Sequence, residues 1–158
     1  MCDTVRAAAE EGLRIDPSLP EPRAILAVCH DMEYEWTEAD RHWRIALALE
    51  PVSNEIRLWY GNHHLLSIGR VEEAVDAIVP GVREDPLNHL YRVIFAIGLR
   101  HLGKLDEAVA ELEKILEVDE NYGTALYTLS AIRAQQGSFE RTVLSFGGPA
   151  GSPETARP

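Results

Sequence analysis

The stretch Leu102–Glu120, LGKLDEAVAELEKILEVDE, reads as one turn followed by one amphipathic helix. Leu105, Ala108, Val109, Leu112, Ile115 and Leu116 recur at the i, i+3, i+4 and i+7 intervals that gather apolar groups on one face of a helix. Gly103 marks the turn. Asp106 and Glu107 stand in the first helical turn, where the backbone dipole favours negative charge.

Related stretches lie on both sides. Pro17, Pro51, Pro86 and Glu120 are spaced by 34, 35 and 34 residues, and an acidic residue precedes each of them. Ala39, Ala74 and Ala108 keep the same step, and so does the turn slot, which holds Tyr34, Gly69, Gly103 and Gly137. A period near 34 residues containing two helical patterns predicts an all-α solenoid of helix–turn–helix units. The small residues Ala27, Ala39, Ala74, Ala96 and Ala108 let paired helices approach closely. The prolines end one helix before the next begins, because proline lacks an N–H and disfavours helix in the residue before it. Each pair must stack on its neighbours to bury its apolar stripe.

On these positions the chain resembles the tetratricopeptide repeat (TPR) family. Repeat one carries Leu26-Ala27, Ala39, Trp43, Ala46 and Pro51. Repeat three carries Phe95-Ala96, Leu99, Gly103, Ala108, Leu112 and Glu120. Repeat four carries Leu129-Ser130, Gly137 and Thr142. His30 and Arg133 depart from the pattern at a slot that usually holds an aromatic or leucine. The resemblance implies a right-handed solenoid over residues 1–146. It would comprise a half repeat (3–17), repeats 18–51, 52–86 and 87–120, and a partial repeat (121–146). Residues 147–158, rich in Gly and Pro, read as a disordered tail. The half repeats at either end imply a chain that is a piece of a longer protein, or ends that pair with another copy to form a homo-oligomer. Two irregularities stand out. Repeat two has one extra residue, to be absorbed in the loop Val52–Asn54 or as a bulge in its first helix. Pro80 falls inside its second helix, predicting a kink or an end near Val79.

Composition narrows the function. Hydrophobic residues make up 46% and charged residues 26% of the 158, a soluble globular balance. The net charge of −11 disfavours nucleic acid and anionic membrane as partners. No apolar run approaches the roughly 18 residues of a membrane span. The acidic N-terminus and the two unpatterned cysteines, Cys2 and Cys29, point to the cytoplasm.

The six histidines (30, 42, 63, 64, 89 and 101) form no HExxH, zinc-ligand or catalytic-triad pattern. His63 and His64 are adjacent and point about 100° apart on a helix. The acidic pairs fall at helix starts and on outer faces. No catalytic residue, metal or cofactor is expected, and the chain reads as a non-enzyme.

The resemblance implies instead a concave groove, lined by the first helix of each repeat, for a protein or peptide partner. Carried over by position, its lining includes Val28, Trp59, His63, Val93, Ile97, Arg100, His101 and Tyr127, with Asp31 and Met32 beside Val28. Trp59 belongs either to this groove or to the core between repeats. Arg100 pairs either with an acidic ligand group or with Asp106 or Glu107. Trp36 and Trp43 read as structural. The Lys and Asn of the carboxylate-clamping TPR subclass are absent, since those slots hold Ala24, Val28 and His63. So is the asparagine ladder of the sugar-transferase subclass, whose slots hold Ile25, Tyr60, Ile94 and Thr128. The wording Glu35-Trp36-Thr37-Glu38-Ala39, followed by Trp43, is loosely similar to TPR regions attached to bacterial signalling kinases and winged-helix regulators. A binding scaffold within a larger regulatory protein is the function this implies, with structural self-association as the alternative.

Overall fold

Eight α-helices follow one another in a computed structural model that describes the backbone of residues 2–49 and 51–146 and the side chains from 3 to 137 within those ranges. They are α1 (Cys2–Ile15), α2 (Pro20–Met32), α3 (Trp36–Ala48), α4 (Asn54–Trp59), α5 (Val71–Glu84), α6 (His89–His101), α7 (Leu105–Leu116) and α8 (Gly123–Phe146). No strand occurs among the described residues. The expected tail 147–158 and Glu50 lie outside them.

The repeat is visible in the backbone hydrogen bonds. In the turns after α2 and α6, and in the turn before α5, the same pair of bonds closes the helix. Glu35, Arg70 and Lys104 donate to the carbonyls of His30, Leu65 and Leu99 at 2.9, 2.9 and 3.0 Å. Tyr34, Gly69 and Gly103 donate to Asp31, Leu66 and Arg100 at 3.1, 3.3 and 3.0 Å. This double closure requires a left-handed residue one past the cap, and φ is 61° at Tyr34, 79° at Gly69 and 75° at Gly103.

The paired helices then meet at their small residues. Ala27, Ala39, Ala74, Ala96 and Ala108 are all 0% exposed, so each sits where a larger side chain would overpack. Three buried clusters run along the solenoid. Trp43, Ala46 and Ile56 fill the first. Leu58, Ile78 and Ile94 fill the second. Val93, Leu112, Ile115 and Ile132 belong to the third. Side-chain caps start the helices after the proline turns: the Ser53 hydroxyl accepts from Ile56 N–H at 3.3 Å, and the Asn88 carbonyl oxygen accepts from Leu90 and Tyr91 at 3.1 and 3.3 Å.

The extra residue of repeat two becomes a bulge. α4 runs on into a π-helical segment, Tyr60–Leu65, in which Leu66 N–H donates to the Gly61 carbonyl five residues back at 3.0 Å. Gly61 is buried against α5, where a Cβ would stand 3.0 Å from the Ala74 carbonyl oxygen and from Ile78 Cγ1. The wider π turn fits one more residue into the same axial length without moving the turn at Gly69.

Two expectations are corrected. Helix α5 does not end near Val79 but passes through Pro80 to Glu84. Pro80 and Asp76 are both exposed, so the carbonyl deprived of its donor lies on the solvent side. Nor does Gly137 make a turn: α8 is continuous from Gly123 to Phe146. Glycine adopts helical or left-handed backbone at similar cost, so packing of the following helix decides. Ala74 and Ala108 permit the fold-back after Gly69 and Gly103; the matching slot after Gly137 holds the β-branched Thr142.

Candidate functional site

The π segment points two consecutive histidines to different places. His64 is 2% exposed, and its Nδ1 lies 2.7 Å from Asp31 Oδ1 on α2. The other carboxylate oxygen, Asp31 Oδ2, accepts from Trp43 Nε1 on α3 at 2.8 Å. Thus one buried carboxylate ties together three helical elements, its side chain only 2% exposed. Asp40 Oδ1 stands 4.0 Å from the far nitrogen, His64 Nε2, and is itself paired with Arg44 at 2.7 Å. The Tyr60 ring stacks on His64 with centroids 5.6 Å apart. Buried polar groups must be bonded to be tolerated, and here each bond crosses between elements.

His63, one residue earlier, faces open space. With Val5 of α1, Ile25, Val28, Cys29 and Met32 of α2, and Trp59 of α4, it lines a cavity of about 300 Å³ whose other walls are apolar. Burial pushes the His63 imidazole below its usual pKa, opposed by the charge of Asp31. A second cavity, of about 510 Å³, shares Met32 and His63 and is completed by Asp31, Tyr34, Trp36 and Ser67.

Three of the eight residues expected to line a groove are therefore brought together: Val28, Trp59 and His63. Trp59 serves both alternatives, since it also packs against the Trp43 cluster. The other five are elsewhere. Val93 is 1% exposed within the core of α6, α7 and α8, a correction: the apolar stripe of α6 that faces its partner helices includes this position. Ile97 is half-buried against the same core. Arg100 is half-buried, and its guanidinium forms no ion pair among the described residues. Neither proposed local partner takes it: Glu107 lies 3.7 Å from Lys104, and Asp106 accepts from Gln136 at 3.4 Å. His101 is exposed, and Tyr127 is 76% exposed on α8.

Two residues acquire a place that residue types and spacing do not reveal. Trp36, read as structural, is a wall of the second cavity, its ring edge-to-face with Tyr34 at 5.7 Å. Asp31, read as groove lining, is the buried hub, with partners 12 and 33 residues away. Its only sequence signal is a lone acid after the apolar run Ala24–Cys29.

The one group of metal-type donors among the described residues is His30, Glu33 and Glu35, whose ligand atoms lie within 4.8 Å of one another. Each is already engaged: Glu33 with Arg6, and His30 Nδ1 with Glu35 Oε2 at 2.6 Å. Beside them His42 stacks on His30 at 5.3 Å. Burial, helped by the charges of His30, Arg41 and Arg23, lowers the His42 pKa to about 4. Its Nδ1 has no hydrogen-bond partner.

No protein-family model matches the sequence, and no curated protein matches it. Solved structures do. PilF of Pseudomonas aeruginosa is 21% identical, over 96% of this chain and 69% of that one, with a TM-score of 0.73. YrrB, a TPR protein with an unusual peptide-binding site, is 18% identical over 86% and 70%, with a TM-score of 0.65. The second TPR domain of human RPAP3, solved with the HSP70 peptide SGPTIEEVD, is 20% identical over 72% and 98%, with a TM-score of 0.59. The chain has the TPR fold, an all-α solenoid.

Proposed function

We propose that this solenoid is a non-catalytic scaffold that binds a peptide or helix of a partner protein through the cavity between α1, α2 and the α4–π segment. The observation that carries this reading is the convergence of Val28, Trp59 and His63, from two repeats, on one apolar-walled cavity of about 300 Å³. That volume fits one large side chain, and a concave apolar pocket with a few polar groups is the usual form of a recognition site. YrrB and the RPAP3 domain, whose fold it shares, are peptide binders by their descriptions, which supports the same use here. The loose similarity around Glu35–Trp43 supports a place within a bacterial regulatory protein.

The test is selection of 12-residue peptides from a displayed random library on the purified chain, followed by affinity measurement on variants. Trp59→Ala should weaken binding by at least about tenfold, or about 1.4 kcal/mol. Met32→Glu should do likewise, and Met32 is 59% exposed, so its replacement leaves the fold intact. Unchanged affinity in both overturns the assignment.

A further inference from the structure

The second cavity differs in chemistry from the first, and the two share a wall. Met32 and His63 line both. Beyond them, the first chamber is closed by Val5, Ile25, Val28 and Trp59, and the second by Tyr34, Trp36, Asp31 and Ser67. One chamber is therefore apolar; the other combines two aromatic rings with a carboxylate.

The acidic wall is held in place. Asp31 is gripped by Trp43 Nε1 and His64 Nδ1 at 2.8 and 2.7 Å, so its charge cannot swing away. A carboxylate has about four acceptor positions, of which these bonds use two. Among the described residues neither chamber is lined by a lysine or an arginine. Their shared histidine is held towards its neutral form by burial.

The aromatic wall is held in place too. Tyr34 is the one non-glycine residue with positive φ among the described residues, in a turn whose two equivalents use glycine. A strained backbone that keeps a 76% exposed ring at the mouth of a cavity is retained against folding. That ring stands at 77° to Trp36, so the two rings form a corner. Aromatic faces and a fixed carboxylate, with no competing cation, are the complement of a guanidinium or ammonium group. The net charge of −11 draws cations towards the surface as a whole.

We propose that the two chambers form one bipartite socket for a partner segment carrying a bulky apolar side chain and, close to it, an arginine or lysine. This rests on reading the first chamber as the partner site, and it assigns the partner's chemistry: basic and apolar together, not acidic.

The probe is a set of blocked 12-residue peptides on a neutral Gly/Ser/Ala host. Each carries Leu and Arg separated by one to four positions, with matched Leu–Gln, Leu–Glu and Ala–Arg sets, all measured by fluorescence anisotropy. At one separation, Leu–Arg should bind at least about tenfold tighter than Leu–Gln, and tighter still than Leu–Glu. That arginine advantage should vanish in Tyr34→Gly and in Trp36→Ala while the leucine dependence persists. Tyr34→Gly relieves a strained turn, so at least one variant folds. Leucine-dependent binding with no arginine preference refutes the socket and leaves the scaffold reading standing. An arginine advantage that survives in both variants is bulk electrostatics and also refutes the socket. No binding by any peptide overturns both readings.

Discussion

Replacing Asp31 by alanine tests the hub on which the site is built. The substitution strands two buried donors, Trp43 Nε1 and His64 Nδ1, on residues 1% and 2% exposed. Each buried donor left without an acceptor costs about 1–3 kcal/mol. Removing the carboxylate also releases its own burial penalty, so the net sits within the about 3–5 kcal/mol typical of breaking one side of a buried pair. We take about 3–4 kcal/mol, a large share of the roughly 5–15 kcal/mol that stabilises a domain. At about 2–4 °C per kcal/mol for a chain of this length, Tm should fall by about 6–16 °C. Asp31→Asn keeps one acceptor and should cost about half as much. The assay is urea denaturation followed by far-ultraviolet circular dichroism, with tryptophan fluorescence reporting the surroundings of Trp43. Adding His64→Leu to Asp31→Ala removes one stranded donor, so the double variant should be less destabilised than the sum of the singles, with a coupling of about 0.5–3 kcal/mol. A cost below about 1 kcal/mol for Asp31→Ala, or strict additivity in the pair, would show that Asp31 does not hold these elements together.

Tyr34→Gly should stabilise the chain by about 1 kcal/mol in the same assay, because a left-handed conformation costs a non-glycine residue about 1–2 kcal/mol; a loss of stability would mean that the Tyr34–Trp36 contact outweighs the strain. Glycines inside helices should divide by what surrounds them. Gly98→Ala places a methyl 2.7 Å from Val75 Cγ2 and should cost about 1–3 kcal/mol, whereas Gly137→Ala meets nothing within 4 Å and should gain about 0.5–1 kcal/mol. Acid should expose His42. Its folded pKa, about 4, lies below the unfolded value near 6.5, so the unfolded chain takes the proton first and stability is lost as pH falls from about 6.5 to about 4, at up to about 1.4 kcal/mol per unit. Between pH 7 and 5, His42→Gln should lose about 1–2 kcal/mol less than the natural chain in urea melts; equal losses would place the sensitivity elsewhere.

The sequence alone determined the repeat, and with it the fold. Helix periodicity, proline stops and alanine contact points are local properties, and their spacing survives in the primary structure because every unit solves the same packing problem. That is why Ala39, Ala74 and Ala108 could be assigned to close helix contacts before any coordinates. Register carried part of the site as well: Val28, Trp59 and His63 were placed by position and do share a cavity. What the tertiary structure decided was everything that depends on a rotation or a distant partner. Whether one extra residue became a loop or a π turn was set by Gly61 against α5, and that choice sent His64 inward to Asp31 and His63 to the cavity. Whether Gly137 turned or stayed helical depended on what packs beyond it. A one-residue change of register on a helix moves a side chain by about 100°, so no spacing rule could have separated adjacent histidines into hub and wall. Nor could it have joined Asp31 to residues 12 and 33 positions away.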